Sequence, residues 1–228
     1  MIANRKEFFG GIGMIVLFFG VLALFFAPIF ENGTNGLAYM DRLYNSISKG
    51  SVNYMEQITE KAKAQEGKTI DVNLSIPAEF EEIIPALLSS SGLSATVEGG
   101  KVHVVGDLST MLLAVVADCE DMYYNRGDVV SERRGMRPRV AIYAWWDILR
   151  SMDKQLKKQK MFAAASDVIY IMNRGVEPAY NYYGIAPQSI MDKIGVVIFS
   201  LIFYVVYTLW YGFAILFMFE GWGLKLEH

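Results

Sequence analysis

Apolar positions in this chain form two unbroken blocks around a long stretch in which apolar and polar residues alternate. Phe8 to Phe30 and Ile194 to Phe219 contain no charged residue. Each exceeds the ~20 residues that carry a helix across a hydrocarbon core of ~30 Å, so both are expected to be transmembrane helices. The roughly 160 residues between them have the pattern of a water-soluble domain.

The middle begins helically. Leu37, Met40, Leu43, Tyr44 and Ile47 share one face. After an expected break at Lys49-Gly50, Val52, Met55, Ile58 and Ala62 share another. Ile70, Val72, Leu74 and Ile76 then alternate with polar residues, the period of a strand with one buried face. Phe80, Ile83, Ile84, Leu87 and Leu88 return to helical spacing, with Pro85 expected to kink the helix. Leu93, Ala95 and Val97 alternate again, Gly99-Gly100 makes a tight turn, and Val102 and Val104 form the return strand. Asp107 or Ser109 can cap a helix carrying Leu112, Val115, Val116, Cys119 and Met122. The order strand, helix, strand, strand, helix predicts helices packed on one face of a small sheet.

Ser131 to Arg139 reads as a basic turn. A long helix is expected from about Val140, with Ile142, Trp145, Trp146, Leu149, Met152 and Leu156 on its apolar side. A further helix is expected over 161–173, ending at Gly175 as a C′ glycine. The predicted architecture is an α+β membrane protein: two transmembrane helices flank one extramembrane domain that contains the strand-helix-strand-strand-helix unit plus additional helices. Its segments are an N-terminus (1–7), a first span (8–30), a helical stalk (31–68), the α+β unit (69–130), a basic helical segment (131–193), a second span (194–219) and a C-terminus (220–228). The final Leu226-Glu227-His228 resembles a tag remnant and is set aside.

The first span is twice the length of a signal-peptide core and has no small-residue cleavage site, so an uncleaved anchor is expected. Arg5 and Lys6 against Glu31 place the N-terminus inside, and Lys225 at the far end agrees. Both termini are then cytoplasmic, at the cell (inner) membrane, and the central domain is periplasmic or extracellular. Gly13, Gly20 and Ala27 recur every seven residues and line one helix face, which suits close helix packing in lipid. Ser200, Tyr204, Tyr207, Thr208 and Tyr211 make a polar face on the second span, expected to meet another helix or to line a pore. Neither span carries an interior charge, which argues against a proton relay.

Charge and candidate chemistry narrow the function classes. A net charge of −3 gives no case for nucleic acid. The single cysteine, Cys119, excludes an intramolecular disulfide, and its place on an apolar stripe predicts an inert thiol. His103 is the one native histidine outside the tag-like end, and it lies on the polar face of its strand, a poor setting for a catalytic base. Asp118, Glu120, Asp121 and Asp128 cluster near a helix end, where carboxylates oppose the dipole. Their spacing matches no calcium loop, and a solvated acidic end paired with nearby arginines is expected. Between Arg133 and Lys160, nine basic residues (Arg133, Arg134, Arg137, Arg139, Arg150, Lys154, Lys157, Lys158 and Lys160) face two acids. That excess suits anionic lipid or an acidic partner. No cofactor or metal is implied. The expected function is a non-enzymatic membrane assembly or accessory protein whose outer domain binds a partner or neighbouring copies, in a homo-oligomer or larger complex. The alternatives are a homo-oligomeric two-span channel and, least favoured, a membrane-tethered enzyme.

Overall fold

The computed structural model describes residues 2–224; Lys225 and the tag-like Leu226 to His228 lie outside the described residues. The chain is mixed α+β and mostly helical. In order, its elements are α1 (Arg5–Phe26), α2 (Gly36–Ser51), α3 (Met55–Lys63), β1 (Thr69–Ser75), α4 (Ile83–Ser89), β2 (Ser94–Glu98) and β3 (Lys101–Asp107). There follow α5 (Leu108–Tyr123), α6 (Gly127–Arg134), α7 (Pro138–Lys158), α8 (Phe162–Ile171), α9 (Glu177–Asn181) and α10 (Ile190–Trp222). They form two compact units, one of residues up to Ile47 and from Gln188, the other of Ser48–Pro187.

The first unit is a helical hairpin. Asn4 starts α1 by accepting from the N–H groups of Lys6 and Glu7 at 3.1 and 3.4 Å. Pro28 lacks a donor, and the helix ends two residues before it. Ser189 caps α10 through Met191 N at 3.2 Å, and Gly223, at φ +93°, closes its far end. Both helices are long and apolar enough to cross a membrane. They run antiparallel in close contact. Gly11 lies against Ala214 and Met218, with room for no side chain. Phe18 meets the Tyr211 ring at 5.3 Å and Phe25 stacks on Phe203 at 6.3 Å. Near the termini, the backbone of Gly221 abuts Phe8, and its carbonyl accepts from Ala3 N and Asn4 N, both at 2.9 Å. After α1 the chain makes a tight turn at Glu31–Gly33, and Asn35 caps α2 through Ala38 N at 2.8 Å. Gln188 N donates to Ser46 O at 3.0 Å, joining the start of the returning chain to the departing one.

The second unit is built on a three-stranded antiparallel sheet of order β1-β3-β2. Val72 pairs with Val104 and Leu74 with Val102, so one face carries a continuous apolar ladder. Ile70, Leu74, Val102 and Val104 are fully buried. The turn between β2 and β3 places Gly99 and Gly100 at φ +57° and +74°, the left-handed pair that a two-residue hairpin requires. Asp107 caps α5, accepting from Thr110 N at 2.9 Å. On the buried side α7 packs on β1, α5 on β3 and α4 on β2, and α3 and α8 pack beside α5. The fully buried Trp145 of α7 is the largest side chain of this core.

Several local expectations are corrected. Pro85 kinks nothing: it stands in the first turn of α4, where no N–H partner is needed, and Phe80 belongs to a separate turn at Ala78–Phe80. Lys49-Gly50 does not break the helix, because α2 runs through to Ser51. Ser131 to Arg134 are helical, stopped by Gly135 at φ +68°, and α7 begins at Pro138, whose missing donor is harmless in a first turn. Gly175 is not a C′ residue. It lies in a π-helical turn, Met172–Val176, that joins α8 to α9, and a Cβ there would stand 2.9 Å from Ile58 Cδ1. The glycine is a packing position against Ile58 and Cys119, not a left-handed cap.

Candidate functional site

The basic segment divides according to what each cation touches. At the end of α5, Asp118 is fully buried. It accepts from Arg133 Nη1 at 2.7 Å, Arg134 Nε at 2.7 Å and the indole N–H of Trp145 at 2.8 Å. Asp121 accepts from Arg133 and from Arg126 Nε, the latter at 2.9 Å. Arg134 spends its other donors on Ser91 Oγ at 2.8 Å, Ser90 Oγ at 3.1 Å and two carbonyls. Burial alone would lower the affinity of the Arg133 guanidinium for its proton, but the hydrogen bonds it donates to Asp121 and Asp118, together with their negative charge, outweigh burial and raise its pKa. The expected solvated acidic end is thus a buried ionic joint between α5, α6 and α7. Glu120 stays exposed outside it, and Asp128 stands in the first turn of α6, where the dipole favours it.

This corrects the basic patch. Arg134 is consumed inside the fold and Arg133 is tied to two carboxylates. Arg139 packs over Tyr180 and Tyr183, Arg150 over Trp146, and Lys157 pairs with Asp153 at 2.8 Å. Arg137, Lys154, Lys158 and Lys160 are exposed and have no ion-pair partner among the described residues. Arg139 and Arg150 are exposed as well and meet no carboxylate in an ion pair among the described residues, so a solvent-facing patch rests on these six.

An aromatic cleft of about 240 Å³ opens between α7 and α9. Tyr143 lies 5.9 Å from Trp146 and 6.1 Å from Tyr180, ring centre to ring centre. Glu177 accepts from the Trp146 indole at 3.3 Å. Beside it, Asp147 keeps one buried carboxylate oxygen without a partner. Burial raises the Asp147 pKa; Arg150 lowers it and Glu79 raises it further.

Lys49 is fully buried, though it ends the polar side of its helix in the sequence. Its ammonium donates to Ile185 O at 2.7 Å, Asn125 Oδ1 at 2.9 Å and Tyr182 O at 3.1 Å, and lies 5.4 Å from the Tyr123 ring centre. Three donors meet three neutral acceptors with no carboxylate, and burial lowers the pKa of this amine.

In the hairpin unit the predicted faces separate. Gly13 and Gly20 have open space around them, and Gly11, Phe18 and Phe25 are the residues that meet α10. The two stripes are two residues apart, close to half a turn, so Gly13 and Gly20 lie on the side of α1 away from α10, whereas Ala27 falls outside the predicted stripe because α1 ends at Phe26 and Ala27 is extended. On α10, Tyr207 and Tyr211 pack on Phe18. Ser200 bonds Val197 O at 2.8 Å and the Tyr44 hydroxyl at 2.6 Å, and Thr208 bonds Tyr204 O at 2.7 Å. Tyr204 faces outward.

Where α1 ends and α10 begins, the same unit holds a polar cleft of about 210 Å³ that the sequence pattern did not disclose. Glu31, Tyr39, Arg42, Ser46, Gln188 and Lys193 line it. Arg42 Nη2 donates to Thr34 Oγ1 at 2.6 Å and Glu31 O at 3.3 Å.

Nothing resembling a nucleophile–base pair is assembled around the titratable residues singled out earlier. His103 contacts Asp71, Nε2 to Oδ1 at 2.7 Å, on the open face of the sheet. Cys119 is buried, and burial with Asp118 nearby pushes its thiol pKa well up. Among the described residues, no group of three His, Cys, Asp or Glu side chains is disposed to hold a metal ion. No protein-family model, curated protein or solved structure matches this chain.

Proposed function

We propose that this chain is a membrane-anchored, non-enzymatic assembly or accessory protein, held in a bilayer by α1 and α10 and presenting residues 48–187 to a partner or to neighbouring copies. The observation that carries the reading is the outer surface of the hairpin. Val16, Leu17, Phe19 and Leu24 on α1, and Leu201, Ile202, Val205, Val206, Leu209 and Phe213 on α10, are all at least half exposed. An apolar surface that continuous aggregates in water and is at home in lipid. At 1.5 Å per residue, the 22 residues of α1 span about 33 Å and the 33 of α10 about 50 Å, enough to cross a ~30 Å core. Arg5 and Lys6 favour cytoplasmic termini and a domain on the outer side.

Partner binding draws support from what the hairpin leaves unpaired. Gly13 and Gly20 face away from α10, a surface that accepts another helix backbone. In the other unit, the exposed lysines at the end of α7 suit an acidic partner or lipid. The pore alternative draws less support, because Ser200 and Thr208 already have acceptors within the chain and Tyr207 and Tyr211 pack on Phe18.

Alkaline extraction of membranes from expressing cells tests the anchor. The chain is expected to stay with the membrane pellet and to be released only by detergent. Recovery in the supernatant overturns the reading. Native mass of the detergent-solubilised full chain, taken alone and from its own host, then tests assembly: an oligomer or co-purifying subunits support it, and a lone monomer in both preparations overturns it.

A further inference from the structure

The polar cleft of the hairpin unit stands at a special level of the chain. Glu31 follows Phe30, where the first uncharged run ends, and Lys193 precedes Ile194, where the second begins. Two cations face the cleft, Arg42 and Lys193, and neither is in an ion pair among the described residues. The Arg42 guanidinium is steadied from one side by Thr34 Oγ1 and Glu31 O, both contacts made by Nη2, which leaves the other edge of its fork uncommitted. The side chains of Tyr39, Ser46 and Gln188 also line the cleft and make no hydrogen bond among the described residues. The Glu31 carboxylate contributes one opposing charge. The main-chain bond from Gln188 N to Ser46 O, at 3.0 Å, holds the two walls together.

We infer that this cleft binds a phosphate group. An arginine fork with a free edge, a lysine and three neutral donors form the set that recognises phosphate oxygens, and two cations against one carboxylate leave the balance positive. Its volume of about 210 Å³ is below the ~300–1,000 Å³ of drug-sized pockets, and it suits a headgroup fragment rather than a whole amphiphile. The phosphate comes from an anionic lipid, because the cleft opens where the apolar runs end. Ile29, Ile190, Met191 and Ile194 are exposed near it and offer acyl chains an apolar path. Assignment of the phosphate to a lipid rests on the membrane reading above, whereas phosphate recognition itself does not.

The test uses the full chain in non-ionic detergent, titrated with dihexanoyl phosphatidylglycerol, dihexanoyl phosphatidylcholine and inorganic phosphate, with isothermal titration calorimetry and thermal unfolding as readouts. Phosphatidylglycerol is expected to bind saturably and raise Tm. The double variant R42Q/K193Q is expected to bind it at least tenfold more weakly while unfolding at the wild-type temperature without ligand. Equal binding by the double variant, or no saturable response to any phosphate compound, overturns the inference. Inorganic phosphate binding as tightly as phosphatidylglycerol, and lost in R42Q/K193Q, supports the phosphate site and overturns its lipid source. If alkaline extraction releases the chain while R42Q/K193Q still abolishes phosphate binding, the anchor fails and the cleft stands. If the chain resists extraction and the variant binds like wild type, the cleft alone fails.

Discussion

Trp145 donates its indole N–H to Asp118 at 2.8 Å, and both side chains are completely buried. A carboxylate with no solvent exposure is tolerable only when its charge is matched, and here Arg133 and Arg134 match it. Removing the acid would strand Arg134 in the core. Asp118→Ala is therefore expected to lower the stability of the 48–187 unit by about 3–5 kcal/mol. Trp145→Phe, which leaves the ion pairs intact, should cost about 1–3 kcal/mol. Denaturant unfolding of the full chain in detergent measures both, and an Asp118→Ala effect no larger than that of Trp145→Phe contradicts the assignment of a charge-matching role.

The division of the basic segment makes an opposite pair of predictions. Lys154→Gln, Lys158→Gln and Lys160→Gln together should leave Tm within the range of ordinary surface changes, about ±0.5 kcal/mol each. The same triple change should weaken any salt-sensitive binding to anionic vesicles or an acidic partner. Arg134→Gln should do the reverse, losing stability first. Co-sedimentation at two salt concentrations, beside thermal unfolding, separates the two roles.

Two glycines of α1 separate folding from assembly. At Gly11 a new Cβ would stand 2.7 Å from the Ala214 carbonyl oxygen, so Gly11→Leu should force the helices apart and reduce hairpin stability. At Gly20 there is open space, so Gly20→Leu should leave the hairpin intact. If neighbouring copies or subunits dock there, Gly20→Leu nevertheless reduces the native mass. Cysteine crosslinking between α1 and α10 reports the first effect and mass measurement the second.

Asp147 carries a pH prediction with a definite sign. Its pKa is raised in the folded state, chiefly by burial, so the fold favours the protonated acid. The stabilisation from that proton is complete below the unfolded value of 3.8 and disappears as pH rises through the raised folded value. Asp147→Asn removes the penalty of a partly buried anion and should raise Tm at neutral pH, with the gain shrinking on acidification. Thermal unfolding of both proteins across the acidic range checks it; a gain that is constant with pH would assign the effect to packing.

Lys49 gives a fifth case. Lys49→Met should destabilise the fold by only about 1 kcal/mol, because each acceptor keeps a second donor: Ile185 N on Tyr182 O at 3.1 Å, Asn125 Nδ2 on Ile185 O at 3.0 Å and Gly184 N on Asn125 Oδ1 at 2.8 Å. Hydrogen exchange at residues 182–187 is expected to speed up in that variant. Unchanged exchange would mean that the loop is held by other contacts.

Periodicity made much of this architecture readable. The apolar runs corresponding to α1 and α10 are continuous, β1 alternates strictly, and Gly99-Gly100 signals its turn by chemistry that few other pairs share. Boundaries were less readable, because a cap such as Asn4 or a tolerated Pro85 shifts an end by a turn without altering the apolar pattern. The candidate sites were least readable. Arg134 and Arg137 differ by three residues and look alike in the chain, yet one is buried on Asp118 and the other exposed. Nothing local distinguishes them; the acid that selects Arg134 lies sixteen residues earlier, on another helix. Lys49 and Arg42 were missed for the same reason, since their partners come from distant parts of the chain or from a cleft that only the fold assembles.

The hydrogen bond from Gln188 N to Ser46 O has a further consequence. It brings the exit and return points of the 48–187 unit side by side, so that unit is a cassette inserted into a hairpin whose ends already meet. A cassette with adjoining ends can be exchanged without redesigning its host. Ser46 and Gln188 are then the pair of positions at which the helical hairpin would accept a different insert.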